Sequence, residues 1–252
     1  MSMGKKTLPD FIDRERKRFD GEYDNKFNHA FIEVYRYYRF LRIINDKHQS
    51  LISERIIADM NFRNAQPKDL GTYKMTATQM ELWNKLTELS DYMQLEVESF
   101  YQFAKIFLDK MAYAIEYYFG KGPGKGFSHH SMVQKFQNGN VLKIENYCQI
   151  KGIELSHRLL NRMVDLQDVI SDFRDNHITH LLSTRIFRGT GIDGRMSLGK
   201  IYPKDEKDNI WISSENLESV LESIDDYISQ VVDFIETNAD KTALPLKANL
   251  IQ

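Results

Sequence analysis

Leu82, Leu86, Leu89, Met93, Val97, Phe100, Ala104, Phe107, Met111, Ile115 and Tyr118 recur at three- and four-residue steps. Such spacing puts them on one face of an α-helix and no face of a strand. The stripe runs for roughly forty residues, long for a globular helix, and a break near Ser90-Asp91 is expected. Thr78 with Glu81 has capping-box spacing and predicts the start, and Gly120 predicts the end. Phe27, Ala30, Phe31, Val34, Tyr38, Leu41 and Ile44 predict a helix over 27–45, with a shorter one over 51–60. A loop is expected from Asn61 to Tyr73, which holds Pro67 and Gly71. Ser128 is placed to cap a short helix. A long helix is predicted over 153–182, and a final one to Glu236 behind Ser213 or Ser214. Between Gly189 and Ser213 helical periodicity stops, and Ile201-Tyr202 with Ile210-Trp211-Ile212 reads as a small β-hairpin. The expected fold is all-α, an up-and-down bundle of four to five helices with that hairpin before the last. A charged N-terminal arm or short helix over 1–26 precedes a single domain over 27–252.

A net charge of −2 gives no global attraction to nucleic acid or to a membrane. The charge is unevenly spread. Lys121 to Ile144 holds four lysines, two histidines and no acid, whereas Glu215 to Asp240 holds eight acids and no Lys or Arg. Arg174, Arg185, Arg188, Arg195 and Lys200 face only Asp175 and Asp193 in their stretch. No apolar run is long enough for a transmembrane span, and the N-terminus lacks the apolar core of a signal peptide. Cys148 is the single cysteine, so neither an internal disulfide nor a thiolate cage can form. The expected setting is cytoplasmic, without a membrane.

The chemistry concentrates in Asp172-Phe173-Arg174-Asp175-Asn176-His177-Ile178-Thr179-His180. Arginine binds phosphate in a planar fork, and histidine exchanges protons near neutral pH. Metal-independent RNA cleavage needs a base for the 2′-hydroxyl, an acid for the leaving 5′-oxygen and a cation for the charged transition state. Arg174 and His180, six apart, lie ~120° from each other around a helix. Arg174 with His177, or His177 with His180, are neighbours on one face. Either the helix ends here or a second copy of the chain completes the site. The competing reading makes His177 a core residue on the apolar stripe and Arg174 and Asp175 ordinary surface charges.

Arg174 to His180 resembles the R-x(4–6)-H signature of the HEPN superfamily, with Asp175 as the polar residue after the arginine. Glu98 to Lys110 is similar to the long second helix of proteins with such bundles. The resemblance implies a dimerising helical bundle and, in active members, a composite metal-independent endoribonuclease site, often in toxin–antitoxin or anti-phage systems. It would make Arg174 the phosphate ligand, His180 the acid or base and Asp175 its orienter, with His177 a second candidate. Lys121, Lys125, Arg185 and Arg188 would contact the RNA. A homodimer, RNA and an antitoxin-like protein partner are the expected partners, and no cofactor is expected. Gly120-Lys121-Gly122-Pro123-Gly124-Lys125-Gly126 lacks the strand before it and the GK[ST] ending of a P-loop, and reads as an interhelical loop. His129-His130 with His157, His177 and His180 lacks the helical spacing of a metal site, so no metal is expected. The alternative is a non-catalytic helical interaction or adaptor protein.

Overall fold

Burial of a carboxylate and a ring of phenylalanines organises the N-terminal part of the chain. The structure, a computed structural model, describes residues 7–21, 24–65, 75–122, 126–136, 139–173, 185–190, 196–201, 211–213 and 215–248. It is mostly helical. The helices are α1 (Leu8–Glu15), α2 (Lys26–Asn64), α3 (Ala77–Phe119), α4 (His129–Met132), α5 (Lys143–Lys151), α6 (His157–Asp172) and α7 (Glu215–Thr237). The strands are β1 (Arg185–Thr190), β2 (Met196–Ile201) and β3 (Trp211–Ser213). No helix among the described residues is long and apolar enough to cross a membrane. Two compact units emerge. One joins Met1–Leu41, Gln102–Arg174 and Val220–Gln252, and the other joins Arg42–Tyr101 and Asp175–Ser219.

In the first unit, Thr7 caps α1 by accepting from Asp10 N, with proline in the first turn where its missing N–H costs nothing. Leu8, Phe11 and Ile12 are buried. Phe27 and Phe31 stack with centroids 4.5 Å apart, and Phe11 meets them edge-on with centroids 5.8 and 5.5 Å away. Tyr118 meets Phe19 and Phe27 edge-on at 6.1 and 6.0 Å. Each such fully buried ring stabilises by roughly 1.5–3 kcal/mol relative to exposure.

Glu15, only 4% exposed, lies within this apolar cluster. Its carboxylate accepts from the Tyr118 hydroxyl at 2.5 Å and from Arg18 Nη1. Arg18 Nη1 also donates to the Tyr118 oxygen at 3.0 Å, and Nη2 to Ala239 O at 3.1 Å. Burial, then the bond to Glu15, holds the Tyr118 hydroxyl far above the usual phenol range. The segment after α7 closes the end of α3, where Thr242 Oγ1 and Ala243 N donate to Tyr118 O at 3.0 and 2.8 Å. Gly120, at φ +85°, turns the chain out of α3 in the left-handed conformation that suits glycine.

The helices α6 and α7 are tied by Arg158 and Arg162, both on Asp226. Burial pushes that carboxyl up, but the bond from Arg162 and the charges of Arg158 and Arg162 outweigh it and hold it below the usual carboxylate range.

In the second unit, residues 42–64 of α2 and 77–101 of α3 run antiparallel. Lys47 pairs with Glu96, Arg55 Nε donates to Ser90 Oγ at 2.9 Å, and Phe62 meets Trp83 at 5.7 Å. Ile44, Leu51 and Phe62 fill the hairpin core with Leu86, Leu89, Met93 and Val97. The sheet order is β1-β2-β3, antiparallel throughout, with Leu198 opposite both Arg188 and Ile212.

Several expectations are corrected. Where two helices were expected over 27–60, α2 is one, since 26–64 contains neither glycine nor proline to stop it. The break near Ser90 is absent, because the Ser90 hydroxyl donates back to Leu86 O at 2.8 Å and leaves the helical ladder intact. The capping box is Thr76–Gln79, one turn fragment earlier than Thr78–Glu81: Thr76 N donates to Gln79 Oε1 at 2.8 Å and Gln79 N to Thr76 Oγ1 at 3.3 Å. The strand pairing is between 196–201 and 211–213, beginning before Ile201, and β1 adds an unforeseen third strand.

Arg18→Met leaves the buried Glu15 charge without its cation and is expected to cost about 3–5 kcal/mol. Tyr118→Phe removes one donor and is expected to cost about 1–3 kcal/mol. Denaturant melts followed by circular dichroism should rank the wild type above Tyr118→Phe and that above Arg18→Met; equal midpoints contradict the assignment.

Candidate functional site

The residues singled out in the sequence are placed unequally. Arg174, Asp175, His177 and His180 lie outside the described residues, as does Lys125. Arg185 and Arg188 stand on β1, paired through the backbone with Ile201 and Leu198. Lys121 is exposed in the turn that follows α3.

What the first unit does assemble is a polar network around His129 and His130, which centres on α4 and reaches the end of α6. Ser128 and Ser131 cap α4 reciprocally, at 3.1 and 2.9 Å. Two carboxylates of α3 fix the chain that leads into it: Glu116 Oε2 accepts from Phe127 N at 3.0 Å and Asp109 Oδ1 from His129 N at 2.9 Å. Lys105, largely buried, sits 3.2 Å from the same Asp109 oxygen and balances its charge. A Cβ on Gly122 would come within 2.8 Å of the Tyr147 ring, whose hydroxyl is held by Gly120 O at 2.7 Å. Glycine there serves a close approach of helix and loop.

His129 is fully buried. Its Nδ1 lies 3.0 Å from Gln167 Oε1 on α6, which fixes that nitrogen as the proton carrier, because an amide oxygen only accepts. Its ring stands perpendicular to Tyr227 on α7, with centroids 5.7 Å apart. Burial lowers its pKa to about 4, against the pull of Gln167, so the ring is neutral at pH 7. Gln167 Nε2 turns the other way, 3.2 Å from His130 Nδ1 and within bonding reach of Ser171 Oγ. His130 is exposed, and its Nε2 lies 2.7 Å from Gln134 Nε2. A neutral imidazole has one acceptor nitrogen, so only one of these two amides can donate to it at a time.

Chemically, His129 is a neutral structural imidazole, while His130 is an oriented, solvent-facing one able to exchange a proton. Ser171 ends the network three residues before Arg174 in the sequence. The sequence points only weakly to this cluster: His129-His130 is visible as a pair, but Gln167 and Asp109 carry no spacing signal. No group of three or more His, Cys, Asp or Glu side chains is arranged to hold a metal among the described residues. Cys148 is buried, and burial with Glu145 pushes its thiol up to about 12, far from a reactive thiolate. No protein-family profile, curated protein or solved structure matches this chain.

His48, in the second unit, is also fully buried, and neither ring nitrogen has a hydrogen-bond partner in the protein. Burial lowers its pKa to about 4, although Glu96 pulls upward. For both histidines the folded pKa is below the unfolded value of 6.5, so the neutral form is the one that folding favours. Their contribution is complete above pH 6.5 and is lost as the pH falls toward 4. Urea midpoints should therefore be level above pH 7 and fall steeply between 6.5 and 4. His129→Gln should flatten part of that fall; a wild-type profile level across the window contradicts the burial of neutral rings.

Proposed function

We propose that this chain is a HEPN-like helical bundle that acts on RNA as a metal-independent endoribonuclease, as a homodimer and in defence or growth control. The observation that carries the reading is the Arg174–His180 segment, which follows α6 directly in the chain. In it Arg174 neutralises the scissile phosphate and Asp175 orients an imidazole. One of His180 and His177 takes the 2′-hydroxyl proton while a protonated group donates to the leaving oxygen. O2′ bonds to phosphorus, the P–O5′ bond breaks, and the products are a 2′,3′-cyclic phosphate and a 5′-hydroxyl. Lys121, Lys125, Arg185 and Arg188 supply backbone contacts in this reading.

The mostly helical fold supports it, as do the ordered polar residues on α6 up to Ser171 and the exposed imidazole of His130 beside Gln167. The acidic α7 is unsuited to RNA, which leaves the basic segments as the contact surface.

A second reading, a non-catalytic interaction module bound to a protein partner, is favoured by one observation. On the second unit's helices Ile43, Ile57, Met60, Trp83 and Leu95 are 48–61% exposed, apolar side chains that a protein partner would cover.

Labelled mixed RNAs incubated with purified protein in EDTA separate the two. The first reading expects cyclic-phosphate ends from the wild type and at least about a hundredfold loss in Arg174→Ala and His180→Ala, with unchanged melting temperatures. Absence of cleavage by an intact wild-type protein that co-purifies with a partner supports the second.

A further inference from the structure

The outer side of α2 and α3 in the first unit interleaves cations with aromatic rings. From Lys26 to Leu41 the chain holds Lys26, Arg36 and Arg39 against one acid, Glu33. Arg36 and Arg39 are exposed, and each guanidinium lies over a tyrosine ring. Arg36 is 5.3 Å from the centroid of Tyr37, and Arg39 is 6.0 Å from that of Tyr35. Lys110 of α3 brings its Nζ 6.0 Å from the Tyr37 centroid. Glu33 is shared between Arg36 at 3.0 Å and Lys110 at 3.7 Å, so one carboxylate offsets two cations. Arg39 has no carboxylate partner among the described residues.

Tyr37 also leads into an aromatic cluster. Phe40 meets it edge-on with centroids 5.7 Å apart, and Phe103 of α3 lies 6.0 Å from Tyr37 and 5.4 Å from Phe40. All three residues are half-buried, so part of each stays in water. Phe103, Lys110 and Tyr117 are seven apart and therefore share one side of α3, over about 21 Å. Tyr113 and Tyr117 stack at its far end with centroids 5.8 Å apart, and Tyr113 is 51% exposed.

We infer that this face binds single-stranded RNA, with bases stacked on its tyrosine and phenylalanine rings and phosphates held by Arg36, Arg39 and Lys110. An aromatic ring offers its π-face to any base, and a guanidinium already laid on a tyrosine keeps its N–H edge for phosphate. A duplex fits poorly, because its bases already stack on one another. A second copy of the chain fits poorly too, since an isologous contact would set the same excess of cations against itself. The choice of RNA rests on the proposed ribonuclease reading, but the face uses none of the residues that reading assigns.

Fluorescence anisotropy of the full-length chain tests this, with a labelled 2′-O-methyl RNA of about twelve nucleotides as a single strand and the same strand in a duplex as control. Tyr113→Ala and Tyr37→Leu should each weaken single-strand binding by about tenfold and leave duplex binding within about twofold, the loss of one stacked base. Arg39→Gln should lower the slope of log affinity against log salt by about 0.7, the loss of one phosphate contact on a single strand. Circular dichroism and light scattering should show fold and oligomeric state unchanged; Tyr113 and Arg39 are exposed, so their variants test the face even where Tyr37→Leu disturbs packing. No binding by the wild type, wild-type affinity in all three variants, or equal losses for single strand and duplex would overturn the inference. A changed oligomeric state with unchanged RNA affinity would overturn it in favour of an interface between copies. The ribonuclease reading fails separately: a wild type that binds in this way but cleaves no RNA keeps the platform, and one that cleaves while its platform variants bind normally keeps only the nuclease.

Discussion

The carboxylate of Glu15 cannot remain inside an apolar cluster without compensating donors, and the first unit is arranged around supplying them. Tyr118 and Arg18 supply them from elements a hundred residues apart in the chain. Arg18 then reaches the carbonyl of Ala239, just past α7. Phenylalanines such as Phe27 and Phe31 would tolerate small shifts of register, because dispersion is not directional. A charge within hydrogen-bond distance of two donors tolerates none. Three segments far apart in sequence are thereby fixed to one another, and the strand-like contact of Phe19 with Leu246 follows from that closure.

The same logic recurs at His129. A short α4 of four residues has little stability of its own, and Asp109, Gln167 and the Ser128–Ser131 cap hold it against α3 and α6. Its consequence is to present His130 and Ser171 in fixed positions near the end of α6. An exposed imidazole ordered from within is suited to acid–base work, whereas its buried neighbour is an anchor. The proposed ribonuclease chemistry would draw on that order, since proton transfer is sensitive to placement at the scale of one hydrogen bond.

Much of the helical framework was legible from apolar spacing. The stripe from Leu82 to Tyr118 lies along α3, and the final helix expected to reach Glu236 is α7, which runs to Thr237. Gly120 and Ser128 were legible as a helix end and a cap because their conformational roles are local. Helix continuity was not, since polar residues such as Ser90 and His48 look like interruptions until their partners or their burial are known. Nor was the polar network at His129, because Asp109, Gln167 and His129 come from three helices and share no period. The Arg174–His180 segment was conspicuous for the opposite reason: its chemistry is contiguous in sequence.

The central claim is that RNA meets this chain on its basic segments and at the Arg174–His180 segment. Ultraviolet cross-linking to a 2′-O-methyl RNA, which cannot be cleaved by its own 2′-oxygen, tests that claim directly when the joined peptides are mapped by mass spectrometry. The account predicts adducts within 121–135 and 174–188 that disappear at high salt. Adducts confined to other surfaces, or none at RNA concentrations that saturate a control RNA-binding protein, would contradict it.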